Sequence, residues 1–168
     1  MPNIITKSTI YIGENLFGKA SKITAPEIDY ETSEIKTAIG TYNINTAIKA
    51  MTTSVTLNGF YKEVFQKISN PLSEINMTIY GNIDEYSNET LIASKQAKLI
   101  MRGQSQKFPL LGELEQQSNI EYNIDFNCSA VRLFIDNVEK FHVDIPNMIW
   151  KANGEDLLLK VKKNLGLI

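Results

Sequence analysis

The sequence predicts a mainly β fold: one domain over residues 1–168, an antiparallel β sandwich or half-open barrel with two short flanking helices. Three observations carry that prediction. Residues 119–130 alternate without an error, with Ile120, Tyr122, Ile124, Phe126, Cys128 and Ala130 on one side of an extended strand. Asn119, Glu121, Asn123, Asp125, Asn127 and Ser129 fall on the other side. Glu74 to Asp84 alternates in the same way, and helical spacing is confined to two short stretches, one after Gly59 and one at the C-terminus.

The elements follow in order. Ser8 to Ile12 reads as a short strand, Gly13-Glu14-Asn15 as a turn, and Ala20 to Ala25 as a second strand. Residues 30–46 show no clear period, carry Gly40 and predict a long loop, which a compact domain keeps only for a purpose. Ala50 to Asn58 alternates, with Val55 and Leu57 opposite Ser54 and Thr56, and Gly59 ends it. Asn58 suits a helix cap, and Phe60, Val64 and Ile68 lie at helical spacing until Asn70-Pro71. In the next strand Ile75, Met77, Ile79 and Ile83 point one way and Asn76, Thr78, Tyr80, Asn82 and Asp84 the other.

Ser87-Asn88-Glu89 turns the chain into a long strand, about Thr90 to Gln106, and a polar excursion over 103–117 follows. The strand from Asn119 continues to Ile135 with a phase shift at Ala130-Val131, as a β-bulge gives. Its first twelve residues alone would span roughly 40 Å, long against a usual strand of about 5–6 residues. Asp136-Asn137 is a hairpin turn, and Glu139 to Ile145 pairs back. A closing helix is predicted over 155–165. Asn153-Gly154 precedes it, Glu155-Asp156 sit at its positive end, Lys160, Lys162 and Lys163 at its negative end, and Leu157, Val161 and Leu165 form a buried stripe.

Composition removes several function classes. The chain has 17 basic and 19 acidic residues and a net charge of −2, with no basic stripe of the kind that displaces counterions from nucleic acid. No basic and apolar leader opens it, and no apolar run approaches the roughly 18–20 residues of a membrane span, so direct membrane binding is not expected. Cys128 stands alone, which fits folding in a reducing cytoplasm.

Catalytic chemistry is also missing. His142 is the single histidine, on the polar face of its strand beside Asp144, while Cys128 falls on an apolar face, so the two make a poor dyad. One histidine and one cysteine cannot build a zinc site, and no glycine-rich phosphate loop is present. Glu121 and Asp125 are too far apart on one strand, roughly 13 Å, for a carboxylate pair. No enzyme, metal or cofactor is expected. The cation-free polar row from Glu121 to Asn127 suits a wall that lets something past and makes a poor pocket.

The C-terminal stretch carries Asp144-Ile-Pro-Asn-Met148-Ile, then Asn153-Gly154, then a closing helix ending Lys163-Asn164-Leu-Gly-Leu167. In these residues it resembles the major tail tube proteins of contractile-tailed bacteriophages. The likeness extends to Met101-Arg102-Gly103 after a long strand, and to an opening hairpin from Ile10-Tyr-Ile-Gly13 through Phe17-Gly18 to Ile23. It covers nearly the whole chain and is loosest between Asp29 and Lys49. This sequence departs from the family in its Asn- and Ile-rich composition and in the excursion 103–117.

The resemblance implies a tail-tube-like fold whose copies close into hexameric rings. Rings stack into a tube that carries DNA during ejection, inside a contractile sheath, with initiator and terminator proteins at its ends. It implies a virion tail component assembled in the host bacterial cytoplasm; a DNA-free R-type bacteriocin or related injection tube needs the same wall. A lumen should lack cations, because DNA carries a phosphate about every 1.7 Å of axis. Glu121, Asn123, Asp125 and Asn127 are the candidate lumen-facing residues, although that row also suits solvent or a neighbouring subunit. Segment 30–46, with Ile35, Ile39, Gly40 and Tyr42, is the candidate inter-ring loop, an ordinary flexible loop being the alternative. The rival function is a soluble β-sandwich binding module.

Overall fold

A computed structural model describes residues 2–13, 15–16, 20–112 and 114–168. The elements run β1 (Asn3–Ile12), β2 (Asn15–Leu16), β3 (Ala20–Thr24), β4 (Tyr30–Thr37), β5 (Gly40–Ile48), β6 (Met51–Asn58), α1 (Lys62–Ile68), β7 (Ile75–Ser87) and β8 (Thr90–Lys107). They continue as β9 (Glu121–Ile135), β10 (Val138–Asp144), β11 (Ile149–Ala152), β12 (Glu155–Asp156) and α2 (Leu159–Asn164). The opening turn at Glu14 and the Phe17-Gly18 part of the opening hairpin lie outside the described residues.

Strand β9 organises the sheet. Its first half pairs one edge with β6, from Glu121 opposite Asn58 to Cys128 opposite Met51. The same edge then passes to β10, from Ala130 opposite Asp144 to Ile135 opposite Val138. The other edge pairs with β8 from Asp125–Lys107 to Ile135–Ala97. The sheet reads β12-β11-β10-β9-β8-β7-β1-β2, with β6 and then β3 branching from β9, and it does not close on itself. Arg102 faces Ala130 while Gly103 faces Cys128, so Ser129 is the extra residue of a bulge, next to the expected phase shift.

The alternating rows do as the pattern requires. Tyr122, Ile124, Phe126 and Cys128 of β9, Val55 and Leu57 of β6, Met77 of β7 and Ile10 and Ile12 of β1 are buried together, and Val64 and Ile68 of α1 fill the open side of the sandwich. Gly103 permits the close approach of β8 to the bulge: a Cβ there would lie 2.8 Å from the Asn127 carbonyl carbon and 3.0 Å from Cys128 Cα.

Four expectations are corrected. Segment 30–46 is no aperiodic loop: β4 and β5 form a two-stranded antiparallel sheet of their own. A register slip at Glu31/Thr32 hides its period, and the tip Ala38-Ile39 lacks the usual hairpin-turn residues. The helix expected over 155–165 is shorter, because Asn153-Gly154, both at positive φ, turn β11 into β12 instead of opening a helix. Its stripe is not buried: Leu157, Val161 and Leu165 are 42%, 43% and 60% exposed. Finally, α1 begins after Tyr61 rather than at an Asn58 cap, and no side chain caps it.

Candidate functional site

Two surfaces carry the candidate residues. The first is the outer face of β3, β6 and β9. Glu121, Asn123 and Asn127 are exposed on it and Asp125 is half-buried. Ser54 Oγ donates to Asp125 Oδ1 at 2.6 Å, and Thr56 Oγ1 donates to Asn123 Oδ1 at 2.6 Å. These bonds fix the row along β9. The row itself has no cation, but its neighbours bring Lys22 from β3 and Lys107 from β8 to the same groove. That groove has room for about 980 Å³ and is walled on one side by Phe108 to Leu111. Gly112, at φ +82, lets the wall close on β9, since a Cβ would sit 2.8 Å from the Glu121 carbonyl oxygen.

The second surface is the β4–β5 hairpin. Ile35 lies opposite Tyr42 and Ser33 opposite Ile44, so the apolar side chains gather on one face. Glu34 opposite Asn43 and Lys36 opposite Thr41 make the other face polar. Ile39 at the tip is fully exposed, Tyr42 and Ile44 are exposed, and Gly40 begins the return strand. The structure thus brings Ile35, Ile39, Gly40 and Tyr42 onto one ribbon, separate from the β9 row. Its root is held to the body. The Tyr30 ring stacks on Trp150 at 5.7 Å between centroids, Lys49 N–H donates to the Asp29 carbonyl at 2.8 Å, and Lys49 Nζ lies 3.5 Å from Asp29. The Trp150 indole N–H is buried there without a hydrogen-bond partner.

Sequence reasoning missed that root, because Trp150 and Tyr30 lie 120 positions apart and nothing local marks the pair. It also missed the Arg102 cluster, where the guanidinium donates to Asp144 Oδ1 at 2.7 Å and lies 3.6 Å from Glu74. Asn147 donates to the same carboxylate from its side-chain amide and its backbone. Burial pushes the Asp144 carboxyl up, but the Asn147 and Arg102 hydrogen bonds outweigh it and hold its pKa below the ordinary value. This cluster pins the turn Ile145–Met148.

No catalytic arrangement emerges from the candidate titratable residues. His142 lies on the outer face across from Arg132 and Lys151, with Glu139 at 3.6 Å. Burial, reinforced by Arg132, lowers its pKa. Cys128 faces the core, and burial pushes its thiol up to about 11. Among the described residues, no three His, Cys, Asp or Glu side chains converge where a metal could sit.

Against known families, residues 2–166 match the model for phage tail tube protein FII. The chain belongs to the phage tail tube family. That family is structural, and the tail tube chain is accordingly no enzyme. The tail tube protein of Escherichia phage P2 is 36% identical over 70 residues, which are 42% of this chain and 40% of that protein. The match therefore spans less than half the length of that relative.

Two solved structures of an extracellular contractile injection system share the tail tube fold. The PVC sheath/tube terminator in its extended state has a TM-score of 0.59 at 12% identity, over 80% of this chain and 96% of that one. A chain of the PVC sheath-tube complex in its extended state has a TM-score of 0.56 at 13% identity, over 80% and 90%.

Proposed function

We propose that this chain is the inner tube subunit of a contractile phage tail. Copies close into hexameric rings, and stacked rings form the channel through which DNA is ejected. A contractile sheath surrounds the tube, initiator and terminator proteins bind its ends, and assembly takes place in the host bacterial cytoplasm. One observation carries the stacking part of this reading. The β4–β5 hairpin is a separate two-stranded sheet with an apolar face and an isoleucine tip open to solvent. A two-stranded hairpin is at best marginally stable alone in water, so a ribbon of this kind calls for a partner surface. A tube made of copies of one chain supplies one in every ring.

For the channel part, Glu121, Asn123, Asp125 and Asn127 form the cation-free candidate wall, while Lys22 from β3 and Lys107 from β8 line the same groove. A DNA-free injection tube is the second reading, favoured by the likeness to the extracellular injection-system structures.

Deleting residues 32–44 tests stacking. The expected product keeps its core, seen as a cooperative thermal transition, and forms monomers or single rings in negative-stain micrographs. Long tubes from this variant would remove the hairpin from ring stacking.

A further inference from the structure

The C-terminal segment, residues 157–168, is a second apolar surface left largely open among the described residues. Helix α2 has six residues and buries none of them. Isolated helices shorter than about 12–15 residues are marginal in water, so its sequence alone does not hold it. Leu157, Leu159, Val161, Leu165, Leu167 and Ile168 are all exposed. The segment's only charged side chains are Lys160, Lys162 and Lys163, a local charge of +3.

The hairpin has the opposite make-up. Ile35, Ile39, Tyr42 and Ile44 supply its apolar side chains, and residues 30–48 contain Glu31, Glu34 and Lys36, two acids against one base and so −1. Glu31 and Glu34 are exposed. In one copy these two surfaces both remain open, so neither covers the other. Apolar matter on both sides and opposite charge at their borders make them complementary.

We propose that the β4–β5 hairpin of one copy seats on the C-terminal segment of a second copy. Its isoleucine and tyrosine face lies against Leu157, Val161 and Leu165, and Glu31, on the same face of β4 as Ser33 and Ile35, lies near the lysines of α2. The proposal rests on the stacking role given above and names its receiving surface. The Tyr30–Trp150 stack and the Asp29–Lys49 pair fix the hairpin's root, which limits the ordering cost of docking.

A charge swap and a crosslink test it, both on the full chain. E31K should raise the protein concentration needed for tube formation roughly threefold, as should K160E. Combining the two substitutions should bring it back most of the way. In the crosslinking arm, the single variants Ile39→Cys and Leu165→Cys are mixed, assembled and mildly oxidised. A reducible band at twice the chain mass, found only in the mixture, supports the seat. Cys128 is buried, with its thiol pKa raised to about 11, and stays silent.

Tubes that form normally without the crosslink, or a combined charge-swap variant no better than its parents, would overturn the seat and leave stacking by the hairpin standing. Normal tubes from the 32–44 deletion would instead overturn the stacking role itself. A crosslink as strong in either single variant alone as in the mixture also counts against the seat.

Discussion

Gly103 gives the most direct test of how the two halves of the sandwich are joined. Adding a Cβ there puts a methyl group against the β9 backbone, inside the contact shell of the Asn127 carbonyl oxygen and 2.8 Å from its carbon. Ordinary carbon–carbon contact lies near roughly 3.5–4.0 Å, so β8 and β9 must part by about an ångström. Parting them disturbs the Gly103–Cys128 and Gln104–Asn127 pairings beside the bulge. Overpacking costs about 1–3 kcal/mol, and each weakened hydrogen bond adds about 0.5–1.5 kcal/mol. Gly103→Ala should therefore destabilise the fold by about 3–5 kcal/mol, a fall in Tm of roughly 10 °C for a domain of this size.

Gly81→Ala is the matched control. It lies in β7, and its Cβ would meet only the Ala97 methyl, at an ordinary 3.8 Å. Thermal unfolding followed by far-UV circular dichroism, at one protein concentration, compares the two variants. A Gly103→Ala transition within about 2 °C of the Gly81→Ala one would refute the reasoning.

Further outcomes follow from the buried groups and the exposed row. Asp144 is held below its ordinary pKa, so its contribution to stability is present above the unfolded value of about 3.9 and is lost as pH falls through the lower, folded value. Asp144→Asn should cost about 2 kcal/mol at pH 7 and flatten the loss of Tm measured below about pH 4; an unchanged acid profile would show that the Arg102 pair does not couple to folding. Tyr30→Ala removes the ring over the only tryptophan, at a cost of about 1 kcal/mol, and should shift Trp150 emission to longer wavelength in a fluorescence spectrum. Cys128 should react with a thiol-specific dye at least about a hundredfold more slowly in the native protein than in denaturant. Glu121→Lys with Asp125→Lys should leave tube formation intact and slow DNA delivery in an infectivity assay, and normal infectivity would take these two residues out of the channel wall.

Much of the fold was legible because burial enforces a period of two on long strands. The residues Tyr122 to Cys128 and Ile75 to Met77 announced their strands, and the core uses them as the alternation says. The hairpin is not legible, since only its root, at Tyr30 and Ile48, meets this chain's core, and beyond it burial enforces no period. The C-terminal helix was overextended for a related reason. Leu157, Val161 and Leu165 have helical spacing but stay exposed within one copy, and Asn153-Gly154 suits a hairpin turn as well as a helix start. Among candidate positions, the strand faces of Glu121 to Asn127 could be read from parity alone. The lysines that flank them could not, because they arrive from strands distant in sequence.

Because one edge of β9 serves β6 and then β10 while the other follows β8, a single backbone acts as a spar joining both halves of the sandwich. Thrust delivered at one end reaches the other along a continuous ladder of backbone bonds, loaded mainly in shear, where many must yield together. The β8–β9 ladder skips one residue at Ser129 and another at Gln106, and of these only Ser129 lies between the halves.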